Sequence, residues 1–189
     1  YRVLRYDLRE SLSELSSLRC EVTEQDQAPR NPSELSGEIA TLTLSRTDGV
    51  QTRKFIGRVV SAERSPDADS VRTLKLHVAP APWSLKKRAD CRVYQETSVV
   101  DIAKDVLEKA GVTVDMQEWQ LTGEHPEREY IVQYRETDLS FLRRILGEEG
   151  IYFSLKHSGT TEKLVFGDDI SGLGEIEGAT TLPYHHGQG

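Results

Sequence analysis

Along the first eighty residues, apolar and polar positions alternate in short runs, and a period of two sets one side of an extended chain against a core. Leu18-Arg19-Cys20-Glu21-Val22-Thr23 is the first such run, with Leu18, Cys20 and Val22 facing inward. Gln25 to Ser36 holds Pro29 and Pro32 without a sustained period, so it connects strands and leaves Arg30, Asn31 and Ser33 to solvent. Glu38 to Ser45 sets Ala40, Leu42 and Leu44 against Thr41 and Thr43. The Asp48-Gly49 pair is a hairpin signal, and Lys54 to Ala62 forms the return strand. A polar turn from Arg64 to Ser70 leads into Val71 to Ala79, where Arg72, Leu74, Leu76 and Val78 alternate with Thr73, Lys75 and His77. Strands at this spacing predict an antiparallel β-barrel-like domain over residues 1–80.

The period changes after Pro80-Ala81-Pro82-Trp83. Ser98 precedes a run in which Val99, Ile102, Ala103, Val106, Leu107 and Ala110 recur at helical spacing, and Gly111 closes it. Ser98 with Asp101 has the form of a capping box, with Asp in the usual place of Glu or Gln. Val112-Thr113-Val114 predicts a short strand, and Gln117 to Pro126 a loop around Trp119. A strand at Tyr130–Tyr134 then runs into a helix from Asp138 to Glu148, which buries Leu139, Leu142, Ile145 and Leu146 and turns Arg143, Gly147 and Glu148 outward. Gly150 suits the left-handed position that ends helices. Ile151–Leu155 and Lys163–Phe166 read as a hairpin across His157-Ser158-Gly159-Thr160. The whole predicts an α+β fold: a barrel-like domain, then a smaller mixed domain over 81–175 with two amphipathic helices packed on short strands. Residues 176–189 read as a loop or tail. No internal repeat is evident.

Composition narrows the function classes. A formal net charge of −7 over 189 residues supplies no basic field for nucleic acid. Cys20 and Cys91 stand apart without Cys-x-x-Cys or Cys/His spacing, which points to reduced, buried thiols and to no metal site. No apolar run approaches the roughly 20 residues of a membrane span, and no signal-peptide pattern opens the chain, so assembly in a cytoplasm is expected. The ends, Tyr1 and Gly189, read as those of a segment of something longer.

Candidate chemistry is thin. Adjacent side chains of an extended chain point apart, so His185-His186 is a poor chelating pair. His77, His125 and His157 read as surface residues, Glu148-Glu149 as a solvated helix end and Asp168-Asp169 as a turn. There is no Gly-x-Ser-x-Gly elbow and no Gly-rich phosphate loop. Two further classes remain open: a cell-wall sugar-binding module using Trp83, Trp119 and Tyr130, and a hydrolase pairing a histidine with Asp168 or Asp169.

Several words occur together: Phe55-Ile56-Gly57-Arg58-Val59, Pro82-Trp83-Ser84-Leu85 and Cys91-Arg92-Val93-Tyr94-Gln95. The longest is Arg128-Glu129-Tyr130-Ile131-Val132-Gln133-Tyr134-Arg135-Glu136, continued by Phe141-Leu142-Arg143-Arg144-Ile145-Leu146-Gly147-Glu148-Glu149-Gly150. In their order and spacing they resemble the amino-terminal hub domain of VgrG, the type VI secretion spike, itself similar to the baseplate hub of contractile phage tails. His157, Asp168 and Pro183-Tyr184-His185 fall where such sequences carry them. The resemblance implies a non-enzymatic structural part without cofactor or metal. It would form a homotrimer with pseudo-sixfold symmetry, contact baseplate proteins, and adapt the hexameric Hcp tube to a membrane-puncturing needle that is then secreted. Its motif residues here are Phe55, Gly57, Trp83, Gln95, Gln133, Tyr134, Glu136, Phe141, Arg144, Glu149 and Gly150. Such spikes continue into a second barrel, a neck and a β-helical needle, none of which this sequence contains, so a monomer in isolation is compatible with the family.

Overall fold

Alternation over the first eighty residues produces five strands: β1 (Arg2–Arg9), β2 (Ser17–Thr23), β3 (Ile39–Ser45), β4 (Thr52–Arg64) and β5 (Thr73–Ala79). The computed structural model describes residues 1–25, 29–45, 52–65, 72–158 and 161–173. The predicted turns at Asp48-Gly49, Pro66 to Ser70 and Gly159-Thr160, His185-His186 and the tail 176–189 lie outside them. The five strands pair antiparallel in the order β1-β2-β5-β4-β3 and curl as half a barrel. Its inner face buries Leu18, Val22, Leu42, Phe55, Val59, Leu74 and Val78, and Leu35 covers them from a short 3-10 turn. Full burial of each such side chain contributes about 1.5–3 kcal/mol.

The second half begins with β6 (Ala89–Ser98), which runs without a loop into α1 (Val99–Lys109). β7 (Gln117–Gln120) follows, then β8 (Glu127–Thr137), which runs directly into α2 (Asp138–Glu148). β9 (Tyr152–Ser158) and β10 (Thr161–Gly167) complete the chain's strands among the described residues. β6 and β8 form a two-stranded antiparallel ribbon, and β7-β10-β9 a mixed sheet in which β7 and β10 are parallel. The helices share a core with Ile131, Phe153, Leu164 and Phe166. Both helices end as predicted: Gly111 and Gly150 take φ of +84° and +70°, and the amides of Val112 and Ile151 close onto the carbonyls of Leu107 and Leu146.

Several expectations need correction. Val112-Thr113-Val114 is not a strand: Val112 is spent on closing α1, and Val114 opens a 3-10 turn with 70% of its surface exposed. The strand lies instead at Gln117–Gln120, read as loop, because its partner is more than forty residues away and leaves no local signal. Arg2–Arg9 and Ala89–Ser98 escaped notice because exposed positions dominate both strands. Cys20 is half-buried and its thiol pushed up to about 11 by burial, whereas Cys91 is exposed; both are free. Arg30 is half-buried, its carbonyl capped by Arg64.

The two halves meet along a seam. Phe55 of β4 packs on the ring of His157 at 5.1 Å, and His77 of β5 meets Trp83 edge-on at 5.0 Å while bonding Ser17. Leu15, in the β1–β2 connection, inserts into the helical core, and the Ser13 amide donates to the Phe153 carbonyl. His157 therefore sits in a strand against the other half, not in a solvated turn, and neither ring nitrogen has a hydrogen-bond partner.

Candidate functional site

The unit that gathers most motif residues is the ribbon and its two helices. Each ribbon strand ends on a hydroxyl that caps the following helix. Ser98 Oγ accepts from the Asp101 amide at 3.1 Å, and Thr137 Oγ1 from the Ser140 amide at 3.1 Å. Thirty-nine residues separate Ser98 from Thr137, and the same offset joins Gly111 to Gly150, Leu107 to Leu146 and Val93 to Val132. It also joins Glu96 to Arg135, two non-glycine residues held at φ of +49° and +50°. Val93 and Val132 are cross-strand partners, so an antiparallel pair with this offset has a local twofold axis through them. The chain thus contains two equivalent strand–helix units, a repeat that sequence reading denied.

A line of paired charges fastens the unit. Arg144 donates to Glu136 Oε1 at 2.6 Å and to the Val132 carbonyl at 2.8 Å, which ties α2 to the edge of β8. Arg128 bonds Glu149 through Nε at 2.9 Å and through Nη2, and Glu148 at 2.6 Å. His125 lies between two carboxylates, with Nδ1 3.3 Å from Glu149 and Nε2 3.1 Å from Asp168. Asp168 also accepts from the amides of Gly123 and Thr122, and these bonds hold its carboxyl well below the ordinary range. Burial works to raise Glu149, yet the bonds from Arg128 and His125 outweigh it and keep the group ionised. Glu149 and His125, read as solvated, are only 15% and 10% exposed in their side chains.

At the other end, Gln133 and Asp138 are fully buried. Gln133 Nε2 donates to Asp138 Oδ1 at 2.9 Å, while Arg88 and Arg92 stand 3.3 Å and 3.5 Å from its two carboxylate oxygens. A charge at the first position of a helix gains from the helix dipole, and two guanidinium groups compensate its loss of water.

The motif residues fall into three places. Gln133, Glu136, Phe141, Arg144, Glu149 and Gly150 belong to this fastening, with Phe141 fully buried and stacked on Tyr94 at 6.0 Å. Phe55, Gly57 and Trp83 lie at or beside the seam. Gln95 and Tyr134 stand on the outer face of the ribbon, Tyr134 being 65% exposed. Sequence reading missed His125 and Asp138 as members of the network, although each lies within three residues of a motif word, and it assigned no partner to Arg128, which opens the longest word.

This arrangement positions parts and offers little for catalysis. Asp168 meets His125, and with both ring nitrogens facing carboxylates none is left to take a proton from a nucleophile. Trp83 and Trp119 pack against the helical core, Trp119 stacking on Phe166 at 3.9 Å, while Tyr130 is exposed on the ribbon, so the three do not share one face. Among the described residues no cluster of metal-ligating side chains exists and no helix is long and apolar enough to cross a membrane.

Comparison with known proteins bears on what such a unit serves. The family model described as phage tail baseplate hub (GPD) matches residues 9–189. The type VI secretion system spike protein VgrG1c of Pseudomonas aeruginosa is 31% identical over 182 residues, which are 96% of this chain and 24% of that protein. VgrG4b of the same organism is 38% identical over 113 residues, 60% of this chain and 14% of that protein. The chain therefore spans about a quarter or less of the length of these curated relatives. Among solved structures, the E. coli c3393 protein superposes with a TM-score of 0.78 at 25% identity, over 90% of this chain and 47% of that one. It is described as a type VI secretion component similar to the T4 bacteriophage tail proteins gp27 and gp5.

Proposed function

This chain belongs to the phage tail baseplate hub family, and on that premise we propose that it is the hub segment of a type VI secretion spike, working by assembly and without catalysis. Three copies, each contributing this barrel-like unit and a second like it from the rest of a spike, present six similar surfaces to a hexameric Hcp tube. A closed ring with two similar domains per chain is how threefold symmetry docks on sixfold. Assembly takes place in the cytoplasm against baseplate proteins, and the spike then leaves through the apparatus. The division at residues 80 and 81 belongs to this reading, supported by two separate hydrophobic cores joined by Leu15.

The observation that carries the proposal is how the charges of residues 125–149 are used. Arg128, Glu136, Arg144, Glu148, Glu149 and His125 all end on one another or on Asp168. Each exposed pair contributes about 0–1 kcal/mol, so their joint effect is to fix geometry and resist shear between α2, β8 and the segment after β10. A spike protein carrying this chain as its hub is expected to sediment as a trimer and to co-purify with Hcp. A strictly monomeric full-length spike, or one trimeric without affinity for Hcp, would overturn the corresponding half of the reading.

A further inference from the structure

The outer face of the β6–β8 ribbon has no role in the fastening just described. Its cross-strand pairs are Cys91 with Tyr134, Val93 with Val132, and Gln95 with Tyr130. Val93, Tyr130 and Tyr134 are 56%, 57% and 65% exposed, an unusual amount of apolar surface on a strand pair whose other face is core. Around this centre the left-handed pair carries opposite charges at equivalent positions, while another equivalent pair, Asp90 and Glu129, is acidic at both ends. The left-handed position at one end holds Glu96, with Glu127 and Glu129 exposed beside it. Its twofold equivalent at the other end holds Arg135, whose guanidinium lies 5.2 Å from the Tyr134 ring centroid.

We infer that this face docks on the same face of a second copy of the chain. Two ribbons stacked face to face, about 10 Å apart as packed sheets are, and related by a dyad perpendicular to the strands, bring Val93 and Val132 onto their own counterparts. The same operation lays Tyr130 of one copy over the Tyr134 end of the other, so Glu96 of each approaches Arg135 of its partner twice over. The local twofold axis makes the match, since it places opposite charges at equivalent distances from one apolar centre. A ribbon of about ten residues by two strands offers a few hundred Å² per copy, below the roughly 800 Å² of a stable interface, so the pairing is weak and reversible. It is isologous and closes at two, and it neither uses nor requires the threefold contact of the hub reading.

Sedimentation velocity in reductant, from about 10 µM to about 1 mM, tests it on the whole chain. The weight-average mass is expected to rise with concentration toward twice the monomer. Val93→Glu is expected to abolish the rise. Glu96→Arg and Arg135→Glu are each expected to weaken pairing at least tenfold, and the double reversal to restore it to within about threefold of the parent. Far-ultraviolet circular dichroism and thermal melting confirm that every variant is folded. A monomer at all concentrations, association that Val93→Glu leaves unchanged, or a double reversal no better than the single ones overturns the inference.

Discussion

Replacing Gly57 by alanine tests the close approach of β4 and β5 and carries a sign opposite to the usual one. In an ordinary strand, Gly→Ala is favourable by about 0.5–1 kcal/mol, because alanine leaves the unfolded chain less freedom to lose. Here a Cβ would stand 2.8 Å from the Ala79 carbonyl oxygen, 3.0 Å from its carbon and 3.0 Å from Val78 Cγ1, where ordinary contact begins at 3.4 Å. Two of the three obstacles are backbone, so relief means parting the strands by about half an ångström beside the pair formed by Arg58 and Ala79. Overpacking of this kind costs about 1–3 kcal/mol, which leaves a net loss of about 1–2 kcal/mol after the entropic gain. At about 2–4 °C per kcal/mol for a chain of this size, the melting temperature falls by about 2–8 °C. Gly147 is the control: it is exposed in α2 with nothing within 4 Å of an added Cβ, and alanine there gains up to about 1 kcal/mol of helix propensity. Thermal and urea melts followed by tryptophan fluorescence read both. If Gly57→Ala matches or exceeds the parent, the β4–β5 approach is misdescribed.

Leu142 is 2% exposed on the inner face of α2, so Leu142→Ala should cost about 2–5 kcal/mol in urea unfolding; a loss under about half a kcal/mol would mean that the wrong helix face is buried. Burial, helped by Arg53 and opposed by Glu10, pushes His157 below its ordinary value. The unfolded chain then binds the proton first, so stability falls as the pH drops below about 6.5, and His157→Leu should flatten that slope between pH 7 and 5. Asp168 is depressed, so its contribution is present above the unfolded value near 4 and lost as the pH falls through the folded one. Asp168→Asn should remove the acid limb in melts between about pH 4.5 and 2 while also lowering stability at pH 7.

How much of the fold was legible follows the range of the interactions. Leu139, Leu142, Ile145 and Leu146 recur on one helical stripe, with Gly150 after it, so α2 can be read to the residue from local periodicity. β3 likewise follows its alternation, with Ala40, Leu42 and Leu44 turned inward between exposed residues, whereas β4 buries Phe55, Ile56 and Gly57 in succession and runs two residues past the predicted Lys54–Ala62 at each end. β7 could not be read that way, since Gln117–Gln120 becomes a strand only through parallel pairing with Leu164–Gly167. β1 and β6 put most of their residues in water, where period two carries no hydrophobic contrast. The seam was hidden for a related reason. His77 and His157 are polar by composition and half-buried by tertiary contact with Trp83 and Phe55, which nothing within a few residues of either histidine specifies.

The candidate site shows the same limit more sharply. The words that mark it were visible, yet the equivalence of its two strand–helix units was not. Between Ala89–Val112 and Arg128–Ile151 the only identical residues at the shared offset are Val93 and Val132, Leu107 and Leu146, and Gly111 and Gly150. The relation is carried by backbone: two hydroxyl caps, two left-handed helix ends, and two left-handed strand residues. The last pair is the informative one. Glycine would hold φ near +50° without strain, whereas glutamate and arginine each accept about 1–2 kcal/mol to stay there. Neither side chain joins the line of paired charges that runs from Glu136 to Asp168. Arg135 has a local partner in the Tyr134 ring, 5.2 Å from its guanidinium, and the opposite signs at equivalent places suit the contact between copies inferred above.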